Sequence, residues 1–176
     1  MPNDAIPALS YLGRSTELAD EVVRGLAVRK KTIAAAESCT AGLASEFIAR
    51  VPGASNVFWG SFVTYSADAK VNMLGVPEEL IEKYGAVSRP VALSMAESAL
   101  EKSGAYWAFS ITGFAGPEGG SPGTPIGTVW IGVAGRDSEG ALRSDAKMFF
   151  FVGSRNEVRE AAAAAALQAL LERVNT

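Results

Sequence analysis

The 176-residue sequence predicts a single α/β domain, a layered sandwich in which a mixed sheet is flanked by helices. Three observations carry that expectation. Apolar runs of strand length alternate with segments of helical spacing along the chain, the pattern of layered α/β packing. The run TIAAA at 32–36 shows no polar alternation, as befits a strand buried on both faces. Late in the chain, the turn-rich stretch GRDSEG separates two strand-like runs and reads as the turn of an antiparallel hairpin.

Residues 1–14 read as an N-terminal extension and 15–176 as the domain itself. Residues 15–30 place Leu18, Val22, Val23 and Leu26 on one helical face, with Ser15 or Thr16 as cap. After the 32–36 strand, residues 40–51 resume helical spacing through Leu43, Phe47 and Ile48 until Pro52 and Gly53 stop it. The run VFWGSFVTY at 57–65 is aromatic and β-branched, hence a strand, with a bulge expected at Gly60. Short helices are expected at 67–74 and 78–84. Ser88, Arg89 and Pro90 open a long helix to about Lys102, closed by Gly104. Strands follow at 106–112, 128–134 and 142–152, and an alanine-rich helix over 156–174 ends the chain.

Composition narrows the chemistry. With 48% hydrophobic residues, 20% charged residues and a net charge of -3, the chain lacks the basic excess that a nucleic-acid binder needs to displace counterions from phosphates. No apolar run approaches the roughly 18 residues of a membrane span. Asp4 stands where a secretory leader carries positive charge, so a cytoplasmic location and no membrane partner are expected. One cysteine excludes an intrachain disulfide framework. The absence of histidine removes the Ser-His-Asp and Cys-His arrangements and the HExxH motif, and leaves zinc with few good ligands. No metal and no cofactor is expected, and acid–base work falls to Lys, Glu, Asp, Tyr or Cys.

Reactive residues concentrate in three stretches. In AAESCTAG, Glu37, Ser38, Cys39 and Thr40 occupy a strand-to-helix junction, where helix N-termini offer unpaired N–H groups and a positive dipole end. Ser and Thr there ordinarily cap the helix, a lone cysteine is ordinarily a small buried hydrophobe, and Glu37 at the strand end is either a cation partner or a helix cap. A nucleophile there would have backbone amides at hand as an oxyanion site. In TYSADAK, Tyr65 ends an apolar strand and Lys70 follows one turn into a helix, against the dipole preference. Lys70 is either a solvated surface lysine or, if this turn faces Ser38, the base of a Ser-Lys pair. In ITGFAGPEGGSPG, the glycines after Thr112 (Gly113, Gly116 and those beyond) permit close backbone approach to a ligand. Neither the Walker pattern nor GxGxxG is present, so the loop is a surface turn or a binding loop. Arg155, opening the last helix, is either a surface ion-pair residue or a phosphate clamp.

Taken together and in this order, AAESCTAGL, VPGASNVFWGSFVTYSADAK, ITGFAGPEGG, PIGTVWIGVA and the Gly-x-Arg before the last helix resemble the blocks of the CinA C-terminal domain family, the nicotinamide-nucleotide amidohydrolases. The resemblance runs from about Lys31 to the C-terminus. It implies deamidation of nicotinamide mononucleotide to nicotinate mononucleotide and ammonia. By motif it makes Ser38 the nucleophile and Lys70 its base, and it places Glu37, Thr40, Tyr65, Thr112, Gly113, Gly116 and Arg155 at substrate-binding positions. Ser154 stands where the family commonly has aspartate. Larger relatives carry an N-terminal nucleotide-hydrolysing domain, which the residues before the first helix are too few to encode. A homodimer is expected from the strand VFWGSFVTY and from the resemblance. Two other readings stay open: a non-catalytic nucleotide-binding domain, and a cysteine hydrolase using Cys39.

Overall fold

The computed structural model describes residues 5–121 and 123–174. Asp4, Pro122 of the glycine-rich loop and the last two residues lie outside them, and with them what the sequence suggested at those positions. The chain forms a mixed six-stranded sheet covered by helices on both faces, matching the expected class. In chain order the strands are β1 (Ile6–Pro7), β2 (Ile33–Glu37), β3 (Phe58–Val63), β4 (Trp107–Gly113), β5 (Thr128–Arg136) and β6 (Leu142–Val152). The helices are α1 (Ser15–Arg29), α2 (Leu43–Ala49), α3 (Ala67–Ala69), α4 (Glu78–Tyr84), α5 (Arg89–Ser103) and α6 (Arg155–Val174). Across the sheet the order is β1-β6-β5-β4-β2-β3.

β2 runs parallel to both β3 and β4, whereas β5 is antiparallel to β4 and to β6. The hairpin read from GRDSEG is present, with Arg136 opposite Leu142. The pairing of β2 with β3 skips Trp59, just before Gly60, where the sequence places a bulge. One feature was not foreseen. Ile6 and Pro7 pair in parallel with Phe151 and Val152, and Ala8 behind them is wholly buried, so part of the supposed extension joins the sheet. A two-residue strand ending in proline leaves no periodicity to read.

All five residues of β2 are buried, as its unbroken apolar character predicts. On one face α1, α2 and α6 pack against Ile33, Ala35, Phe109, Ile111 and Val133. The unbroken run Ala161–Ala166 in α6 is buried and lets that helix settle closely. On the other face α5 lies over Ala34, Ala36, Ala108 and Ala134, small residues that bring its backbone near the sheet. The approach is tight enough that Ser110 Oγ donates to Ala92 O at 2.6 Å. A Cβ at Gly132 would sit 2.7 Å from the same carbonyl oxygen. Replacing Gly132 by alanine is therefore expected to cost about 1–3 kcal/mol of unfolding free energy through overpacking. Urea unfolding checks this, and an unchanged midpoint would show that α5 is not held so close.

Candidate active site

Three parallel strands deliver their carboxyl ends to one place. Register sets Glu37 beside Val63 and Ile111, so Ser38 after β2, Thr64 and Tyr65 after β3, and Thr112 and Gly113 at the end of β4 converge. From β2 the chain passes to β3 through α2 on one face, then returns to β4 through α5 on the other. β2 is thus a topological switch point, where open α/β sheets leave a ligand crevice. A cavity of about 230 Å³ lies there, lined by Ser38, Cys39, Tyr65, Lys70, Thr112 and the start of the glycine-rich loop, with Arg155 at its edge. A larger hollow of about 530 Å³ at the far end of the sheet lies between Trp107, Arg136 and Arg143 and contains none of these residues.

Ser66 caps α3, its hydroxyl accepting from Ala69 N at 3.0 Å. The helix then widens into a π-turn over Lys70–Leu74, a local distortion often found at functional sites. Lys70 is buried, with 1% of its surface exposed. Its Nζ donates to Ser38 Oγ at 2.8 Å and to Thr64 O at 3.0 Å. Among the described residues no carboxylate forms an ion pair with it. Burial penalises the ammonium and lowers the Lys70 pKa from 10.5 to about 8. The solvated surface lysine is not what this chain contains.

Ser38 sits in a turn rather than at a helix start. The expected helix from Thr40 begins only at Leu43, because Ala41 (φ 51°) and Gly42 (φ 93°) are left-handed. Left-handed backbone at a non-glycine residue costs roughly 1 kcal/mol and recurs at functional turns. The turn carries a second consequence. Glu37 is wholly buried, and its carboxylate accepts from Gly42 N (3.0 Å), Ala44 N (3.2 Å), Ser45 N (2.8 Å) and Ser45 Oγ (2.5 Å). Glu37 therefore caps α2 from the preceding strand and does not line the cavity. The α2 amides are spent on it and are not free to hold an oxyanion. Thr40 is also wholly buried and outside the lining.

The other candidates line the cavity. Arg155 spans its mouth, donating from Nη1 to Gly116 O at 2.5 Å and from Nη2 to Tyr65 Oη at 2.6 Å. Thr112 is buried and donates to Ala86 O at 2.8 Å, fixing the wall that Ala86 and Val87 add. A Cβ on Gly113 would come within 2.8 Å of Thr128 O, so only glycine keeps that wall in place. Burial pushes the Cys39 thiol up to about 12, leaving it protonated at neutral pH and a poor nucleophile. That weighs against the cysteine hydrolase. Arg159 of α6, which no motif singles out, donates to the carbonyls of Cys39 and Thr40 behind this turn. On sequence it reads as one more charge on a solvated helix face.

Comparison with known proteins places this geometry. The family model for the CinA C-terminal domain matches residues 15–174. The chain belongs to the CinA C-terminal domain family. It is 44% identical over 154 residues to the nicotinamide-nucleotide amidohydrolase PncC of Escherichia coli K12, covering 88% of this chain and 91% of that protein. A CinA-like protein of Chlorobaculum tepidum is 46% identical over 164 residues, covering 93% of this chain and 39% of that protein. A putative competence-damage inducible protein of Symbiobacterium thermophilum is 49% identical over 154 residues, 36% of its length. The chain thus spans little more than a third of several of the curated CinA relatives it matches. Among solved structures, the competence/damage inducible protein CihA of Agrobacterium tumefaciens superposes with a TM-score of 0.84 at 37% identity, covering 93% of this chain and 97% of that one.

The position of Glu37 in this CinA domain yields a test independent of any substrate. Glu37→Gln keeps the shape but turns a charged acceptor of four donors into a neutral group with only one acceptor oxygen. The loss expected in urea unfolding is about 1–3 kcal/mol. Unaltered stability would mean that the α2 amides find other partners.

Proposed function

We propose that the protein is a nicotinamide-nucleotide amidohydrolase that converts nicotinamide mononucleotide to nicotinate mononucleotide and ammonia. The observation that carries the reading is the 2.8 Å contact of Lys70 Nζ with Ser38 Oγ, a base and a nucleophile in a cavity at the switch point. The 44% identity to the E. coli amidohydrolase supports the substrate.

A carboxamide is a weak electrophile and ammonia a poor leaving group, so the reaction needs an activated nucleophile, an oxyanion site and a proton donor. Neutral Lys70 takes the Ser38 proton as Oγ bonds to the carboxamide carbon, and the carbonyl π electrons move to oxygen. As the tetrahedral intermediate collapses, the C–N bond breaks and the Lys70 ammonium hands its proton to the departing nitrogen. Ammonia leaves an ester on Ser38. Water then attacks the ester carbon, Lys70 takes the water's proton, and the proton returns to Ser38 Oγ as the acid departs. Arg155 is positioned to turn its guanidinium from Gly116 O and Tyr65 Oη to a phosphate, with the loop from Gly113 closing over it. Tyr65, Thr112 and Gly116 shape the walls around the nucleotide; Glu37 and Thr40 act through the turn that holds Ser38. Neither a metal nor a cofactor enters the scheme.

The same reading places the enzyme in the cytoplasm. Among the described residues no helix is long and apolar enough to cross a membrane. A homodimer through β3 is supported by its place at the sheet edge and by the exposed Trp59 and Val63.

Three outcomes test the proposal. Ammonia release from the mononucleotide is expected to persist in chelator and to vanish nearly completely in Ser38→Ala and in Lys70→Arg, since guanidinium cannot give up its proton. Binding of the nucleotide without turnover by the wild type would instead favour the non-catalytic domain. Because only neutral Lys70 can act as base, kcat/KM should rise with pH through an apparent pKa of about 8 and level off above it. A profile flat from pH 6 to 9 would remove Lys70 from that role. Arg155→Ala should raise KM at least tenfold, by roughly 2–5 kcal/mol of lost charged contact, with a smaller change in kcat. Nicotinamide riboside cleaved as well as the mononucleotide would show that no phosphate contact matters.

A further inference from the structure

Arg159 lies one helical turn beyond Arg155 and outside the cavity lining, yet its guanidinium is committed to the turn that carries Ser38. Nε donates to Cys39 O at 3.1 Å, Nη2 to Thr40 O at 3.0 Å, and Nη1 to Asn156 Oδ1 at 3.1 Å. The two main-chain bonds use the rigid fork of the guanidinium, a geometry that lysine cannot copy.

In a planar trans peptide the carbonyl and the following N–H point in opposite directions. Drawing Thr40 O toward α6 therefore turns Ala41 N–H away from α6. The Ser38 carbonyl is engaged by Ala41 N at 3.0 Å, which fixes the direction of Cys39 N–H in the same manner. Among the described residues, the amide of Cys39, which lines the cavity, reaches only its own sulfur, while the amides at the start of α2 are occupied by Glu37. The turn passes through left-handed Ala41, so its shape needs restraint from outside.

We propose that Arg159 is a positioning residue of the amidohydrolase reaction: by holding the Cys39 and Thr40 carbonyls it fixes the turn that presents the amide of Cys39, the residue after the nucleophile, as the oxyanion donor. The inference rests on the reading of Ser38 as nucleophile. Arg159 touches no reacting atom. Its contribution is to fix the donor before reaction, so that its dipole needs no reorganisation when negative charge forms on the carbonyl oxygen.

The test compares wild type, Arg159→Ala and Arg159→Lys for kcat and KM on nicotinamide mononucleotide, with and without added guanidinium. In parallel, Ser38 labelling by a fluorophosphonate is followed: Oγ bonds to phosphorus, fluoride leaves with the electrons of the P–F bond, and Lys70 takes the serine proton. The labelling reads the oxyanion site without the nucleotide. Arg159→Ala is expected to lose about 100-fold or more in kcat, with KM within about threefold of wild type, and to label Ser38 slower by a similar factor. Guanidinium should restore part of both rates, which a merely structural role would not allow. Should Arg159→Ala fail to fold, Arg159→Lys decides: it is expected to lose about 10-fold or more in kcat. Full activity and labelling in Arg159→Lys, or in a folded Arg159→Ala, overturns the proposal alone. So does a loss in Arg159→Ala that guanidinium leaves untouched. Wild type that never labels at Ser38 overturns the nucleophile reading, and this proposal with it.

Discussion

The site depends on a lysine buried without a carboxylate partner among the described residues. An ammonium taken out of water costs several kcal/mol unless it is paired, and among the described residues Lys70 hydrogen-bonds only the Ser38 hydroxyl and the Thr64 carbonyl. Two neutral oxygens do not offset that cost, so the proton is easily lost and the amine becomes a base near neutral pH. A carboxylate beside it would reverse this by holding the ammonium. Glu37 is the neighbouring acid in sequence, and the fold removes it from contention by surrounding it with the amides of α2. The capping role of Glu37 and the weak proton affinity of Lys70 are two sides of one arrangement.

The sheet topology makes that arrangement rigid. β2 is flanked by parallel strands on both sides, and the residues that follow β2, β3 and β4 meet at its carboxyl end. Small residues on one face allow α5 to press close, and the alanine run of α6 does the same on the other. α6 brings Arg155 to the front of the cavity and Arg159 to the back of the Ser38 turn. One helix thus fits both the mouth of the site and its floor. Close packing of this kind resists the sub-ångström shifts that would separate Ser38 from Lys70.

Much of the architecture was legible because it follows from periodicity and punctuation. The buried strand TIAAA, the hairpin around GRDSEG and the proline-started helix α5 are local patterns with local causes. The juxtaposition of Ser38 and Lys70 was legible only through the resemblance, since no spacing rule brings residues on two different connections together. What was missed is non-local. Glu37 read from its position as a cation partner or a helix cap and from the resemblance as a site residue; what no pattern showed is that it caps from eight residues ahead of its last amide partner, with α2 starting at Leu43 and not at Thr40. Ala41 in left-handed backbone has no sequence signature at all, unlike the glycine beside it. Arg159 reaches across nearly 120 residues to two carbonyls, and carbonyls leave no mark in a sequence.

The chemistry of the site hangs on the proton of one nitrogen, and nitrogen-detected NMR of the lysine side chains reads it directly. In the resting protein with Ser38 intact, the Lys70 Nζ resonance should titrate with a midpoint near 8, set apart from the solvated lysines. A midpoint at the ordinary lysine value of 10.5 would mean that burial does not release the proton, and that Lys70 holds Ser38 only as a cation.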